Sequence, residues 1–510
     1  MITRRHFLQG SAAWAALQTM GQASAQTASD YKALVCVFLA GGNDAFNTVL
    51  PTDATSWDAY ATVRNQAPQP IALMAPGTAP VASAAVGSPE RLGGVLPLVR
   101  AGTGADLALA LHPKLTEAQR LFNVEHRLAI VANVGPLLQP LTKEQWTAVS
   151  RGQAGSSQFK LPPKLFSHND QQNTWQALGP EGTAVGWGGR LVDTFVPANS
   201  QPGFYGAISL AGSAVWLAGN RVRQYQLGTS GPIVMGSTNG RVYGSTALHD
   251  ALRNIASHGL AGPGAPGVSR SPHVLMADVG NVSARSVNAE TLLTQAFAAN
   301  PINTDLLGLN ARLQYTTLNG GQATNSLAQQ LQAVARVIAA RSSLGVGRQV
   351  FFVQMGGFDT HDNQNTGHGE LMARLDHALA YFDETLGKLE AAGHTGLRSK
   401  VTAFTASDFG RTFTSNGDGT DHGWGGHHFV MGGAVAGGRV YGQVPKLARK
   451  NANDNNFDGS TVQIGNGSLL PTTSVDQLGA TLAKWFGVAN PGAVFGNLSK
   501  FGVQDLGFMG

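Results

Sequence analysis

Three short apolar runs, each closed by small residues and then an acid, constrain this chain more than any other feature. They read "ALVCVFLAGGND", ending at Asp44, "QVFFVQMGGFDTHD", reaching Asp359 and His361, and "KVTAFTASDFG", reaching Asp408. Uninterrupted apolar runs rich in β-branched and aromatic residues fit strands buried on both faces, as in a parallel sheet covered by helices. "RLAIVANVG", residues 127–135, is a fourth such run. Helical spacings lie between and after them. Leu371, Leu375, Leu379, Phe382, Leu386 and Leu389 recur at three and four across 369–392, and Gly393 is placed to stop that helix. Leu327, Leu331, Val334 and Ile338 predict a helix over 326–341, and Val475, Leu478, Leu482 and Phe486 another near the C-terminus. The alternation predicts an α/β fold, a mainly parallel central sheet sandwiched by helices. Residues 190–325 read as an inserted or cap region, with "AVWLA" as a strand-like piece. "HDALRNIA" and "NAETLLTQAFAA" read as helices, separated by the Gly/Pro-rich "HGLAGPGAPGVSRSPH".

The first 25 residues read as an address rather than as fold. Arg4 and Arg5 precede Phe7 and Leu8, a weakly apolar "SAAWAALQTM" follows, and Ala23-Ser24-Ala25 offers a small-residue cleavage site before Gln26. This is the pattern of a twin-arginine export signal. The stretch is too short and interrupted for a transmembrane helix, which needs about 20 apolar residues. The expectation is a periplasmic or extracellular protein with no stable transmembrane anchor, handled during export by the twin-arginine translocation machinery. Residues 26–510 would then form a single domain. Cys36 is the only cysteine, so no internal disulfide can form, and its place in "ALVCVFL" marks it as a small core residue.

Charged residues make up only 13 % of the chain, and the formal charge of +5 includes Arg4 and Arg5. No Lys/Arg cluster interleaved with aromatics is present, which argues against nucleic acid as a ligand. No G-x-G-x-x-G follows a strand and there is no cysteine ligand set, so a redox protein with an organic cofactor lacks support.

In open α/β sheets ligands gather beyond the carboxyl ends of the strands. Asp44, Asp359 and Asp408 each fall there, two of them with histidine close by. Carboxylates gathered in one pocket repel one another unless a cation compensates them, so the pattern predicts a divalent metal or a pair of them. Mixed Asp/His ligation suits Zn²⁺ and carboxylate-rich sites suit Mg²⁺, Ca²⁺ or Mn²⁺; the sequence leaves these open. Asp359 and His361, two apart, would point to one side of an extended segment. His422 sits in "DHGWGGHHF", where glycines let the backbone bend toward a ligand, whereas His427 and His428 read as the start of the strand "HHFVMGG".

At this point the chain resembles a family. "FLAGGNDAFNTVLP", "SHNDQQNTWQ", "GGFDTHDNQ", "FTASDFGRTF" and "GTDHGWGGHHFVMGGAVAGGRVYG" look like successive signatures of the domain-of-unknown-function 1501 family, whose members commonly carry twin-arginine signals. That family in turn resembles the alkaline phosphatase and sulfatase superfamily, a metal-dependent α/β fold. The resemblance implies metal ligands at Asp44, Asp359, His361, Asp408 and His422. The usual superfamily spacing between the residues matching Asp359 and His361 is wider. Superfamily enzymes also have His directly after the residue matching Asp408, where this chain has Phe409, so one site would be altered, filled by Asp421 or another residue, or lost. The superfamily nucleophile starts a helix; Ser167 in "LFSHNDQQNTWQ" matches that place and also reads as a helix cap. His168 beside it reads as a ligand or an acid/base, and Arg411 as a clamp for phosphate or sulfate or as the partner of a neighbouring acid.

Two functions follow as expectations. The first is an exported metal-dependent hydrolase acting on a small anionic phosphate or sulfate ester. The second is a non-catalytic exported binding or assembly protein that keeps the fold with a degraded metal site. The family resemblance also implies association with another exported protein.

Overall fold

The computed structural model describes residues 30–199, 205–234, 241–257, 274–299, 308–454 and 456–510. The export signal and the Gly/Pro-rich stretch at 258–273 lie outside the described residues. Three of the four apolar runs form neighbouring strands at the centre of a ten-stranded sheet: β1 (Lys32–Leu39), β6 (Arg348–Met355) and β7 (Val401–Ser407). The fourth is β2 (Leu128–Gly135). The remaining members are β3 (Ala207–Ser209), β4 (Tyr225–Gly228), β5 (Gly231–Pro232), β10 (Gly426–Gly432), β11 (Val440–Tyr441) and β12 (Thr473–Ser474). Two further strands, β8 (Arg411–Ser415) and β9 (Thr420–His422), make a separate hairpin.

The sheet order is β11-β2-β10-β7-β1-β6-β3-β4-β5, with β12 also on β2. From β7 to β4 every pairing is parallel, and β10 pairs antiparallel with both of its neighbours, β7 and β2. The expectation of a mainly parallel sheet therefore matches the centre, with an antiparallel insertion beside it. Alternate residues of β1 enter opposite cores. Val35, Val37 and Leu39 pack with α7 (Ser326–Ala339) and α8 (Gln364–Ala391). Leu34, Cys36 and Phe38 pack with α4 (Trp187–Asp193) and α9 (Val475–Phe486). Helices thus cover both faces. Cys36 is buried in the second core, and burial pushes its thiol pKa up, as for an unreactive core residue.

The helices expected at 326–341, 369–392 and near the C-terminus are α7, α8 and α9. The expected strand at "AVWLA" is instead a 3-10 turn, Val215–Leu217, whose Trp216 lies against Trp187 in the core. Large side chains clustered without period-2 alternation belong here to a turn that plugs the core. The described parts of 190–325 supply β3, β4 and β5 at one side of the central sheet, together with helices α5 (Thr246–Ser257) and α6 (Val274–Ala299). No described helix is long and apolar enough to cross a membrane.

Three interior imidazoles carry a consequence for stability. Burial depresses His368 and His427 to about 4 and His428 to about 3. In the unfolded chain the same groups titrate near 6.5. The unfolded state therefore takes up protons first as pH falls, and stability present above pH 6.5 is lost between roughly 6.5 and 4. Calorimetric melting from pH 7.5 to 4 should show Tm falling through this range. Replacing His428 by Asn should flatten the fall.

Candidate metal centre

The parallel register brings the candidate residues together. Leu39 is level with Met355 on one side and with Ser407 on the other, so β1, β6 and β7 end at one height. The loops that leave them carry Asp44, Asp359 with His361, and Asp408. The hairpin of β8 and β9 returns His422 to the same place by pairing it with Arg411. The fifth contributor is α3 (His168–Ala177), whose first residue is His168.

Asp359 is the hub. Its Oδ1 lies 3.1 Å from His361 Nε2 and 3.2 Å from His422 Nε2, while its Oδ2 lies 3.4 Å from His168 Nε2. His361 and His422 hold their Nε2 atoms 3.0 Å apart. Each ring is fixed from behind. His168 Nδ1 donates to Asp408 Oδ2 at 2.7 Å, His422 Nδ1 donates to the Phe166 carbonyl at 2.7 Å, and His361 Nδ1 faces Asp421 Oδ1 at 3.4 Å. A proton held on Nδ1 leaves the Nε2 lone pair free to ligate, the usual way a second partner orients a metal-binding histidine. The cluster faces solvent, with the Asp359 side chain 44 % and His361 40 % exposed.

Arg411 secures the hub. Its guanidinium is fully buried, donates to Asp359 Oδ1 at 2.6 Å and to the Gly41 carbonyl at 3.2 Å, and also binds the Thr420 carbonyl and hydroxyl. Of the two readings of Arg411 in the sequence, the salt bridge with a neighbouring acid is the one seen. Burial works against the Asp359 carboxylate, but the Arg411 hydrogen bond and charge, with His361 and His168, hold its pKa below the ordinary range. Its hydrogen bond to Asp408 holds His168 above the usual imidazole value, and burial holds His422 below it.

Two of the five expected ligands stand outside the cluster. Asp408, with no exposed side-chain surface, accepts from His168, from Gln172 Nε2 at 2.8 Å and from Gly41 N at 3.1 Å. Its oxygens are taken up by donors of the protein, among them the ring of His168. Asp44 forms a buried fork with Arg64, at 2.5 and 3.1 Å, and also accepts from Gln364 Nε2 at 2.6 Å and Phe46 N at 3.0 Å. Burial raises its pKa, but the charge and hydrogen bonds of Arg64 outweigh this and keep it low. Arg64 lies on the inward face of α1 (Ala54–Arg64), beside Tyr60 and Val63. An arginine on a buried helical face was the one sequence signal that Asp44 has a partner of its own.

Phe409 stands where the resemblance leads one to expect a histidine. Its ring packs 4.8 Å from His168 and 4.6 Å from His422, so it walls two imidazoles with hydrocarbon. Gly42 makes room for it: a Cβ there would stand 2.4 Å from the ring, and the φ of +88° favours glycine. Ser167 is the residue before α3 and does not cap it; its hydroxyl donates to Asp170 Oδ2 at 2.9 Å. It sits between Phe166 and His168, both of which touch the cluster. His168, read in the sequence as a ligand or an acid/base, is joined to Asp408 across 240 positions, a contact with no local signal.

The comparisons agree with part of the sequence resemblance. The family model described as "Protein of unknown function (DUF1501)" matches residues 278–461, which supports that family. No curated protein matches the chain. One solved structure, "Crystal structure of Ps i-CgsB in complex with k-i-k-neocarrahexaose", is similar at 7 % identity and a TM-score of 0.33. That likeness spans 93 % of this chain and 75 % of the other.

The separate roles of the acids can be tested by Asp44→Asn. This change leaves the buried Arg64 without its counter-charge and should cost about 3–5 kcal/mol of stability in urea unfolding. Metal affinity of the folded variant should stay within about twofold of the parent, since Asp44 does not touch the cluster; a loss as large as that of Asp359→Ala would contradict this assignment.

Proposed function

We propose that this chain is an exported, metal-dependent hydrolase acting on phosphate or sulfate esters. The observation that supports it most is the convergence of His168, His361 and His422 Nε2 on Asp359, open to solvent, beyond the carboxyl ends of the central strands. Three imidazoles and a carboxylate are a donor set chemically suited to a divalent metal. Such an ion would supply Lewis-acid polarisation of the ester oxygen and lower the pKa of a water or hydroxyl.

The chain's own residues divide the remaining work. Arg411 spends its donors on Asp359, Gly41 and Thr420, so it orients the carboxylate rather than gripping an anion. Ser167 remains the candidate nucleophile. Its hydroxyl already donates to Asp170, which would take the proton as the oxygen bonds to phosphorus or sulfur and the ester's alkoxide leaves to be protonated; water then cleaves the seryl ester and restores the hydroxyl. Phe409 keeps water from the backs of His168 and His422.

A second reading, a non-catalytic exported binding or assembly protein, is favoured by one specific pairing. The Asp44–Arg64 fork occupies an acid that the superfamily resemblance would give to a metal. The two readings separate on activity. Aryl phosphates and aryl sulfates should be hydrolysed by the metal-loaded chain, with Asp359→Ala or His422→Ala lowering kcat/KM by at least about 1,000-fold, of the order that loss of an essential charge-stabilising group produces. Ser167→Ala should abolish turnover while leaving metal content intact. A well-folded, metal-loaded parent that turns over neither ester class would leave the assembly reading in place.

A further inference from the structure

The donor set is more particular than a generic divalent site. We infer that the centre is mononuclear and selects a first-row transition ion of the Zn²⁺ class, with His168 as its third imidazole, over Mg²⁺ and Ca²⁺. The inference rests on the metal-centre reading above and not on the ester chemistry.

Lone-pair geometry carries the first step. With its Nδ1 bound to the Phe166 carbonyl, His422 presents a bare lone pair at Nε2, and His361, whose Nδ1 faces Asp421, turns its Nε2 to the same point. They lie 3.0 Å from each other and 3.1–3.2 Å from an ionised carboxylate oxygen. Acceptors that close need a proton or a cation among them, and a bound ion takes the proton's place. Zn–N bonds of about 2.0–2.1 Å give tetrahedral edges of about 3.3–3.4 Å, so a small outward relaxation of these atoms would fit such an ion.

Donor type carries the second step. Mg²⁺ and Ca²⁺ take oxygen ligands, whereas imidazole suits Zn²⁺ and its neighbours. Among the described residues Asp359 is the carboxylate that faces the Nε2 atoms, Asp408 and Asp421 lying on the Nδ1 side of His168 and His361. The ligating atoms of His168, Asp359 and His422 lie within 4.8 Å of one another, and His361 joins them through its contacts with Asp359 and His422. Its Nδ1 is held by Asp408, which Gly41 and Gln172 hold in turn, so the ring is oriented by a fully buried carboxylate. Among the described residues one group of side chains is placed to hold an ion. Asp408 supports His168, Asp44 is closed on Arg64, and Phe409 covers the imidazoles where a further ligand would have to stand.

The folded chain, stripped with chelator, would be titrated with Zn²⁺, Co²⁺, Mg²⁺ and Ca²⁺ by calorimetry, and with Co²⁺ by visible absorbance. One equivalent of Zn²⁺ or Co²⁺ should bind, at least about 100-fold tighter than Mg²⁺ or Ca²⁺, and Co²⁺ should show the intense bands of a low-coordinate nitrogen-rich site. His168→Ala should change that spectrum and weaken Co²⁺ by at least about tenfold; Asp408→Asn should weaken it by about 10–100-fold. Equal or tighter Mg²⁺ or Ca²⁺ binding, two ions per chain, or an unchanged Co²⁺ spectrum in a folded His168→Ala variant would overturn the inference. The selectivity of the parent chain gives an answer even if a variant does not fold. One tightly held Co²⁺ with no ester turned over would uphold the inference and remove the hydrolase; turnover sustained by Mg²⁺ alone would do the reverse.

Discussion

The in-register parallel pairing of β1 with β6 and β7 is the constraint on which the rest of this structure depends. Each strand is buried on both faces, where a polar side chain without a partner is costly, and the chain's chemistry is displaced to the strand ends. Because Leu39, Met355 and Ser407 end level, three loops, two of them far from the first in sequence, open at one place. Glycine completes the approach. A side chain on Gly41 would meet the Asp359 backbone nitrogen at 2.3 Å, so the first and second loops can touch only with that residue at that position.

Beneath the open cluster lies a closed polar relay. Asp44 is neutralised by Arg64; Gln364 donates to Asp44 and accepts from the Thr420 hydroxyl; that hydroxyl meets Arg411, which holds Asp359. Each buried charge in the series has an opposite charge or several donors, which makes a cluster of acids tolerable in a low-dielectric interior. The relay joins the inward face of α1, the first turn of α8 and the β8–β9 hairpin. The site is therefore held from below by side chains that are themselves buried, Asp44, Arg64, Gln364, Thr420 and Arg411.

Strands, helices and the surface half of the site were legible in the sequence because they obey local rules. Apolar runs gave β1, β2, β6 and β7; spacing of three and four gave α7, α8 and α9; the i, i+2 pair gave Asp359 with His361. What escaped was set by contacts distant in sequence. Nothing near Asp408 announces that it will hold His168, and nothing near Asp44 announces Arg64 twenty positions on. Both acids occupy the expected strand ends, but the strand end fixes only a backbone position. The partner that arrives by tertiary packing decides whether a carboxylate faces a ligand, a histidine or an arginine. Trp216 shows the same limit in the core: a cluster of large apolar residues says that a segment is buried, not that it is extended.

Phe409 turns this local outcome into a property of the whole site. An imidazole in its place could offer a further nitrogen; a phenyl ring offers none, and instead packs against the rings of His168 and His422. Those two histidines come from segments that share no backbone hydrogen-bond ladder, α3 and β9, so the aromatic contact ties together parts that the sheet leaves independent. Gly42 is required to admit the ring, which links the exit of β1 to the same wall. A phenyl ring at this position therefore offers no coordinating atom on one side and fixes the directions of two imidazoles on the other, each with its Nδ1 already bonded.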